Sequence, residues 1–182
     1  SLFIVAPLFL AKLLTKGSSH SLVFNLVDGL FRMLAFIAYL LFISLFKDVQ
    51  RLFQYHGAEH MTIHAYEHHD PLLPVKIRKY PTMHPRCGTS FLLIVVIVSI
   101  FVFSLVNPDG FFPKLVSRLL LLPIIAGVSY ELLRLGAKFE KNPVMKCFVF
   151  PGLLLQRITT KEPDNGQILV AIAALKAVLR MK

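Results

Sequence analysis

Histidines and glutamates are concentrated in one short stretch of the sequence. Six of the seven histidines fall between residues 56 and 84. On a helix with about 100° between residues, four potential ligands lie within about 80° of one another: His56, His60, His64 and Glu67. Imidazoles four residues apart can bind one ion through their ring nitrogens, and a carboxylate can complete the site. The pattern therefore predicts a divalent metal site on one helical face.

A second group of potential ligands follows in the segment MHPRCGTS, directly before an uncharged apolar run. His84 and Cys87 bracket a Pro-Arg pair, and an imidazole and a thiolate at this spacing match a zinc half-site. Cys87 could instead be only a small packing residue. Arg86 is a candidate for binding an anionic substrate group or a lipid phosphate.

The string HGAEH gives the cluster a possible reaction. Residues 56 to 60 spell H-x-x-E-H, the order found in inverzincin metalloproteases, where the histidines bind zinc and the glutamate is the general base. Glu59 is therefore the candidate catalytic base. Glu131 lies inside an apolar segment, where a carboxylate needs a partner. We expect Glu131 to support the metal site, with an ion pair to Arg134 as the alternative.

The elements that position these residues belong to a membrane protein. A mean hydropathy of +0.66 and 55% hydrophobic residues exceed the values usual for soluble domains. Three windows are long and apolar enough to span a bilayer: residues 22–46, 89–106 and 115–133. Within the first window, Asp28 and Arg32 are four residues apart and can pair. We predict an all-α, polytopic helical membrane protein with an interfacial His-rich helix and a C-terminal amphipathic helix.

Shorter segments complete a single predicted membrane domain over residues 1–182. Residues 1–14 are expected to be part of a first apolar helix, and residues 50–88 the metal-site segment. Residues 144–158, broken by Pro151-Gly152, are expected to be re-entrant or interfacial. Residues 167–180 are expected to form an amphipathic helix that lies on the membrane or, in the preferred interpretation, packs on the same domain.

The positive charges indicate an orientation. Lys and Arg outnumber Asp and Glu by 20 to 10, and most of them lie between or after the apolar windows. The positive-inside rule then places the metal segment on the cytoplasmic side, or the stromal side of a plastid membrane. The basic residues form no periodic stripe with base-reading groups, so we expect the lipid bilayer as a partner and no nucleic acid.

Four strings resemble the YqhQ-like family of bacterial membrane proteins, which has relatives in photosynthetic lineages. They are FQYHGAEHMTIHAYE, HPRCGTSFLLIV, GVSYELLRL and QRITTKEPDNGQILVAIAALKAVL. The resemblance implies an integral protein of the bacterial inner membrane or of a thylakoid or other plastid membrane. It also implies a suspected metal site at the following residues: His56, Glu59, His60, His64, Glu67, His84 and Cys87. The function of that family is unknown, so the resemblance implies no substrate.

Two functions are compatible with these residues. The first is a membrane-embedded hydrolase in which a divalent metal, preferentially zinc, activates water and Glu59 accepts its proton. Its +10 net charge would favour an anionic substrate or anionic lipid contact. The second is a non-enzymatic accessory or assembly subunit of a membrane complex. In that case four ligands would close a structural metal site: His56, His60, His84 and Cys87.

Overall fold

A computed structural model describes residues 5–14, 22–106, 108, 110–139 and 142–180. All regular secondary structure in the described part is helical, in agreement with the predicted fold class. Its helices are α1 (Val5–Leu14), α2 (Leu22–Ile43), α3 (Lys47–Glu67), α4 (Pro74–Ile77), α5 (Gly88–Leu105), α6 (Phe111–Lys138), α7 (Pro143–Thr159) and α8 (Asn165–Arg180).

Three of these helices are long and apolar enough to cross a membrane, as predicted. The qualifying segments are Phe24–Ile43, Gly88–Leu105 and Phe112–Lys138. The helix predicted over residues 115–133 is longer at both ends and passes through Pro123 without ending. A proline is tolerated inside a membrane helix when neighbouring groups satisfy the freed backbone carbonyl.

Helix α5 is the centre of the apolar bundle, where it packs against α2, α6 and α7. Towards α6, Ile94 and Val98 pack with Ile125. Towards α2 and α7, Leu93 packs with Leu40 and Leu155. Because α5 has no charged side chain, it can be surrounded by apolar neighbours without leaving a charge unpaired. The central position of α5 fixes where its N-terminus, and hence Cys87, must lie.

Two charged residues on α2 form the ion pair that their spacing predicted. Arg32 Nη2 lies 3.1 Å from Asp28 Oδ2, and both side chains are buried. Arg118 on α6 joins them, with its Nη2 3.0 Å from the same carboxylate oxygen. The pair therefore also ties α2 to α6.

Helices α3 and α8 form a separate layer in which α8 packs along α3. Ala58 and Met61 of α3 share a buried core with Ile168 and Ile172 of α8. The apolar face of the C-terminal helix therefore packs on α3, as expected if this helix packs on its own domain and does not lie on the membrane. This packing holds α3 rigidly from the side opposite its histidines.

The segment predicted as re-entrant or interfacial forms one continuous helix, α7, with Pro151 inside it. Gly152 permits a close approach to α5, because a Cβ at this position would lie 2.6 Å from Ser90 Oγ. The C-terminal turn of α7 and the chain that follows it run beside α3, where Lys161 N–H donates to Phe53 O. Three segments of the chain, α3, the 82–87 loop and the end of α7, therefore converge at one place.

Candidate metal centre

The first group of potential ligands consists of His56, His60 and Cys87, whose ligand atoms all lie within 4.8 Å of one another. The two histidines occupy successive turns of α3, and Cys87 is the N-cap residue of α5. The Nε2 atom of His56 is 3.1 Å from Cys87 Sγ. Zinc bonds of 2.0–2.1 Å to nitrogen and 2.3 Å to sulfur imply a tetrahedral N to S distance of about 3.6 Å. The spacing of the group therefore fits one zinc ion after small adjustments.

Backbone carbonyls orient both imidazoles of this group. His56 Nδ1 lies 2.8 Å from Thr159 O, and His60 Nδ1 lies 2.6 Å from Thr82 O. A carbonyl only accepts, so each Nδ1 carries the proton and donates it. The Nε2 atom of each ring is then the ligand nitrogen. Metal-binding histidines usually have this arrangement, in which the other ring N–H is held by a carbonyl or carboxylate.

The electrostatics of the group favour a thiolate. Burial alone would oppose ionisation of Cys87, but hydrogen bonds from His56, His60 and Thr89 outweigh it and lower the pKa of the thiol from 9.0 to about 5. For His56, burial opposes protonation, yet its bonds to Cys87 and to the Thr159 carbonyl raise its pKa above 6.5. A proton on His56 Nε2 therefore occupies the place where a metal ion would bind.

The second group consists of His64, Glu67 and His84, which are also within 4.8 Å of one another. Its nitrogens are engaged differently. His84 Nδ1 accepts the backbone N–H of Arg86 at 3.1 Å, so neutral His84 carries its proton on Nε2, which lies 3.3 Å from Glu67 Oε2. His64 Nε2 lies 2.9 Å from Met83 O and donates to it.

The ligand atoms of the second group already take part in hydrogen bonds. Burial and the neighbouring His64 lower the pKa of His84 below its usual 6.5, so His84 is neutral near pH 7. Glu67 also accepts from Arg86 Nη2, 2.9 Å away. Binding a metal here would require breaking either the Arg86 N–H bond or the Glu67 bond. The second group is better suited to hold the 82–87 loop on α3 than to bind an ion.

The remaining candidates lie outside both groups. Glu59 is exposed on α3, and its negative charge is one of the causes that raise the pKa of His56. Glu131 does not approach the site, because its carboxylate lies 3.7 Å from Arg134 Nη1 on the exposed side of α6. The Arg86 side chain contacts Glu67 of the second group, and its backbone N–H donates to His84 Nδ1.

Sequence reasoning missed several residues that support the site. Gln156 is completely buried, and its side chain accepts from His84 N–H and donates to His84 O. Gly57, next to His56, faces Lys161 so closely that a Cβ there would lie within contact distance of the Lys161 carbonyl. A glycine inside a helix is a sequence signal for such an approach, whereas Gln156 gave no signal of its own.

Comparison with known proteins gives a family without an assigned activity. A family model described as "Protein of unknown function (DUF1385)" matches residues 1–181. The chain is 37% identical over 180 residues to "Uncharacterized protein YqhQ" of Bacillus subtilis (strain 168). That alignment covers 99% of this chain and 57% of the relative, so the chain spans little more than half the relative's length. No solved structure matches.

Proposed function

This chain belongs to the DUF1385 family of proteins of unknown function, and we propose that it carries the site of a membrane-embedded, metal-dependent hydrolase. In this proposal His56, His60 and Cys87 hold a divalent ion, preferentially zinc. The other predicted ligands, His64, Glu67 and His84, stabilise the surrounding loop.

One observation carries the proposal: two imidazoles and a thiol converge while backbone carbonyls fix both imidazole rings. His56 and His60 each donate Nδ1–H to a carbonyl from another segment, which leaves both Nε2 atoms for an ion beside Cys87. A fortuitous cluster of histidines has no need of this tautomer on both rings. The low pKa of Cys87 supplies the thiolate that zinc prefers.

The number of ligands favours catalysis over a structural role. Within the described residues the group contains three potential ligands, and catalytic zinc sites keep three protein ligands and leave a fourth position for water. The alternative, an accessory or assembly subunit with a closed site, needs His84 as the fourth ligand. His84 is instead bonded to Glu67 and to the backbone of Arg86.

The residues around this position have distinct roles in the proposed reaction. A divalent ion would supply Lewis acidity and lower the pKa of water towards neutrality. Glu59 would accept the proton of that water, because it follows His56 by three positions on α3 and is open to solvent. Arg86, with its side chain 57% exposed, could bind an anionic group of the substrate.

The substrate would reach the site at the membrane surface. Cys87 lies where α5 begins, so the site lies at one end of the spanning bundle. An apolar cavity of about 470 Å³ lies between α2, α5 and α7, and Ile158 in its wall directly precedes Thr159, whose carbonyl accepts from His56. A lipid or prenyl-type molecule, or a peptide of a membrane protein, fits this setting. The basic flanks favour the cytoplasmic or stromal side, in a bacterial inner membrane or a plastid membrane, and contact with anionic lipid.

A paired measurement of metal content and hydrolysis tests the proposal. Wild type and Glu59→Gln would be reconstituted into vesicles with one equivalent of zinc, together with amphiphilic carboxylic esters, phosphate esters or a membrane peptide. We expect acid release with wild type only, while both proteins retain equal zinc. The Glu59→Gln variant preserves size and removes the proposed proton acceptor.

The double variant His56→Ala/His60→Ala is the second arm. It should lose both zinc and acid release. Stoichiometric zinc in wild type without hydrolysis of any of these classes would favour the structural-site alternative. Absence of stoichiometric zinc under chelator-free conditions would reject both functions.

A further inference from the structure

A second cluster of polar side chains lies within the spanning helices, away from the candidate metal centre. Asp28 and Arg32 on α2 and Arg118 on α6 have relative exposures of 2%, 6% and 3%. Both arginines bind the same carboxylate oxygen, Asp28 Oδ2, at 3.1 and 3.0 Å. Phe103 of α5 lies against both guanidinium groups, with its ring centre 5.1 Å from Arg32 and 5.0 Å from Arg118.

The charges in this cluster do not balance. Two guanidinium groups share one carboxylate, so the three side chains carry one excess positive charge. Arg32 also donates to Ser99 Oγ at 3.1 Å, but a hydroxyl neutralises no charge. An uncompensated charge is unfavourable in a low-dielectric interior, and ionisable groups within spanning helices are therefore paired or functional. The cluster needs one negative charge more than these residues provide.

Within the part of the chain that the structure describes, the cluster also contains polar atoms without a hydrogen-bond partner. Two are donors, Arg32 Nε and Arg118 Nη1, and two are acceptors, Asp28 Oδ1 and Asn25 Oδ1. Asn25 lies on the face of α2 that carries Arg32, seven positions earlier. Buried polar groups are almost always satisfied by protein or by ordered water, but water would leave the excess positive charge of this cluster uncompensated. The missing partner must therefore be able to accept from arginine and to donate to a carboxylate or amide oxygen.

The cluster lies at the end of the bundle opposite the candidate metal centre. Ser99 and Phe103 follow Cys87 by 12 and 16 positions along α5, which is about 18 to 24 Å along the helix axis. Asp28 and Arg118 each lie about 10 Å from the start of their helices. That depth is within reach of a headgroup at the opposite membrane surface, because arginine and its ligand can meet below the interface.

We propose that this cluster, Asp28, Arg32, Arg118 and Asn25, binds a phosphate group that also carries hydroxyl donors. Phosphate oxygens would accept from the two unpaired arginine N–H groups and neutralise the excess charge. Hydroxyls of the same ligand would donate to Asp28 Oδ1 and Asn25 Oδ1. Both a glycerol-phosphate lipid headgroup and free hydrogen phosphate have this chemistry. The inference does not depend on the proposed hydrolase.

Native mass spectrometry of the detergent-purified chain tests the proposal with phosphatidylglycerol and phosphatidylcholine as probes. A parallel titration with inorganic phosphate, followed by thermal unfolding, detects the free ion. We expect wild type to bind either phosphatidylglycerol or inorganic phosphate at least about tenfold more tightly than Arg118→Gln does. The variant loses both a charged hydrogen bond to the phosphate and the excess positive charge of the cluster. Binding of phosphatidylglycerol identifies a headgroup, and stabilisation by inorganic phosphate alone identifies the free ion.

Matched variants separate the cluster from general surface charge. Arg134→Gln removes the same charge from an exposed position on α6 and should bind like wild type. Arg118→Lys should retain most of the binding. Asn25→Asp would supply the missing negative charge within the protein and should abolish binding with both arginines present, which covers the case in which Arg118→Gln does not fold. The proposal is overturned if wild type binds neither phosphatidylglycerol nor inorganic phosphate, or if wild type, Arg118→Gln and Asn25→Asp bind them equally.

Discussion

The imidazole of His56 and the thiol of Cys87 meet at 3.1 Å, although they are 31 positions apart and belong to different helices. The contact joins α3, which carries the histidines, to the first residue before the central apolar helix α5. A metal ion held at this contact would therefore couple the surface layer to the spanning bundle.

His60→Ala and His64→Ala should differ in metal content, although both remove an imidazole from the same face of α3. His60 belongs to the group with Cys87, whereas His64 donates to Met83 O in the other group. Removal of a ligand should weaken zinc binding by more than the 10- to 100-fold typical of an outer residue. Zinc measured by elemental mass spectrometry after dialysis should be lost from His60→Ala and retained by His64→Ala. Equal losses would indicate that one ion uses both groups.

Thiolate absorbance in the metal-free protein should persist from neutral pH down to about 5, the pKa of Cys87 in its present surroundings. The folded pKa lies below the usual 9.0, so ionisation of Cys87 stabilises the fold fully above pH 9, and this contribution is lost as pH falls towards 5. The raised pKa of His56 acts in the opposite direction: its contribution is complete below pH 6.5 and is lost as pH rises through the folded value.

An ultraviolet pH titration checks this expectation, with Cys87→Ala subtracted to remove the tyrosine signal. In His56→Ala the midpoint should move to higher pH, because the thiolate loses its hydrogen-bond donor. A midpoint near 9 in wild type would contradict the prediction.

Gly57→Ala should destabilise the protein by about 1–3 kcal/mol, the usual cost of overpacking, and should weaken zinc binding. A methyl group at this position would collide with the Lys161 carbonyl and push away the chain that supplies Thr159 O to His56. Gly127→Ala is the control, because a Cβ at Gly127 meets no atom within 4 Å. That control should gain about 0.5–1 kcal/mol from helix propensity. Chemical unfolding in detergent measures both, and equal stabilities would argue against the close approach.

Gln156→Leu should cost roughly 2 kcal/mol or more in the free energy of unfolding, because it leaves the buried N–H and C=O of His84 without partners. The neighbouring Arg157 is exposed, so Arg157→Leu should change the same quantity by less than about 0.5 kcal/mol. Denaturant titrations of the two variants are directly comparable. If Gln156→Leu were as stable as Arg157→Leu, Gln156 would not support the 82–87 loop.

The long helices could be predicted from sequence because hydropathy and length are local properties. The windows 22–46 and 89–106 differ from α2 and α5 by at most three residues at an end. The window 115–133 was shorter than α6, which begins earlier, at the apolar Phe111, and continues beyond Leu133 to the polar Lys138. The ion pair of Asp28 with Arg32 was also local, at a spacing of four residues. The participation of Arg118 required the packing of α6 on α2.

The candidate site was only partly predictable, and helix geometry gives the reason. Angular position placed His56, His60 and His64 on one face, but eight residues separate the first from the last, about 12 Å along the axis. One ion cannot bridge that rise. The structure accordingly divides the predicted ligands into two groups, one with Cys87 and one with His84.

The sequence alone determined that this chain forms helices long and apolar enough to span a membrane, and that α3 presents imidazoles and carboxylates on one face. Both follow from the types and spacing of neighbouring residues. Only the tertiary structure decided which imidazoles meet Cys87 and which carbonyls fix their tautomers. The carbonyls of Thr82 and Thr159 belong to the backbone, which is the same for every residue type, so no side-chain pattern could have indicated them. Their positions depend on α5 and α7 packing together and bringing distant segments against α3.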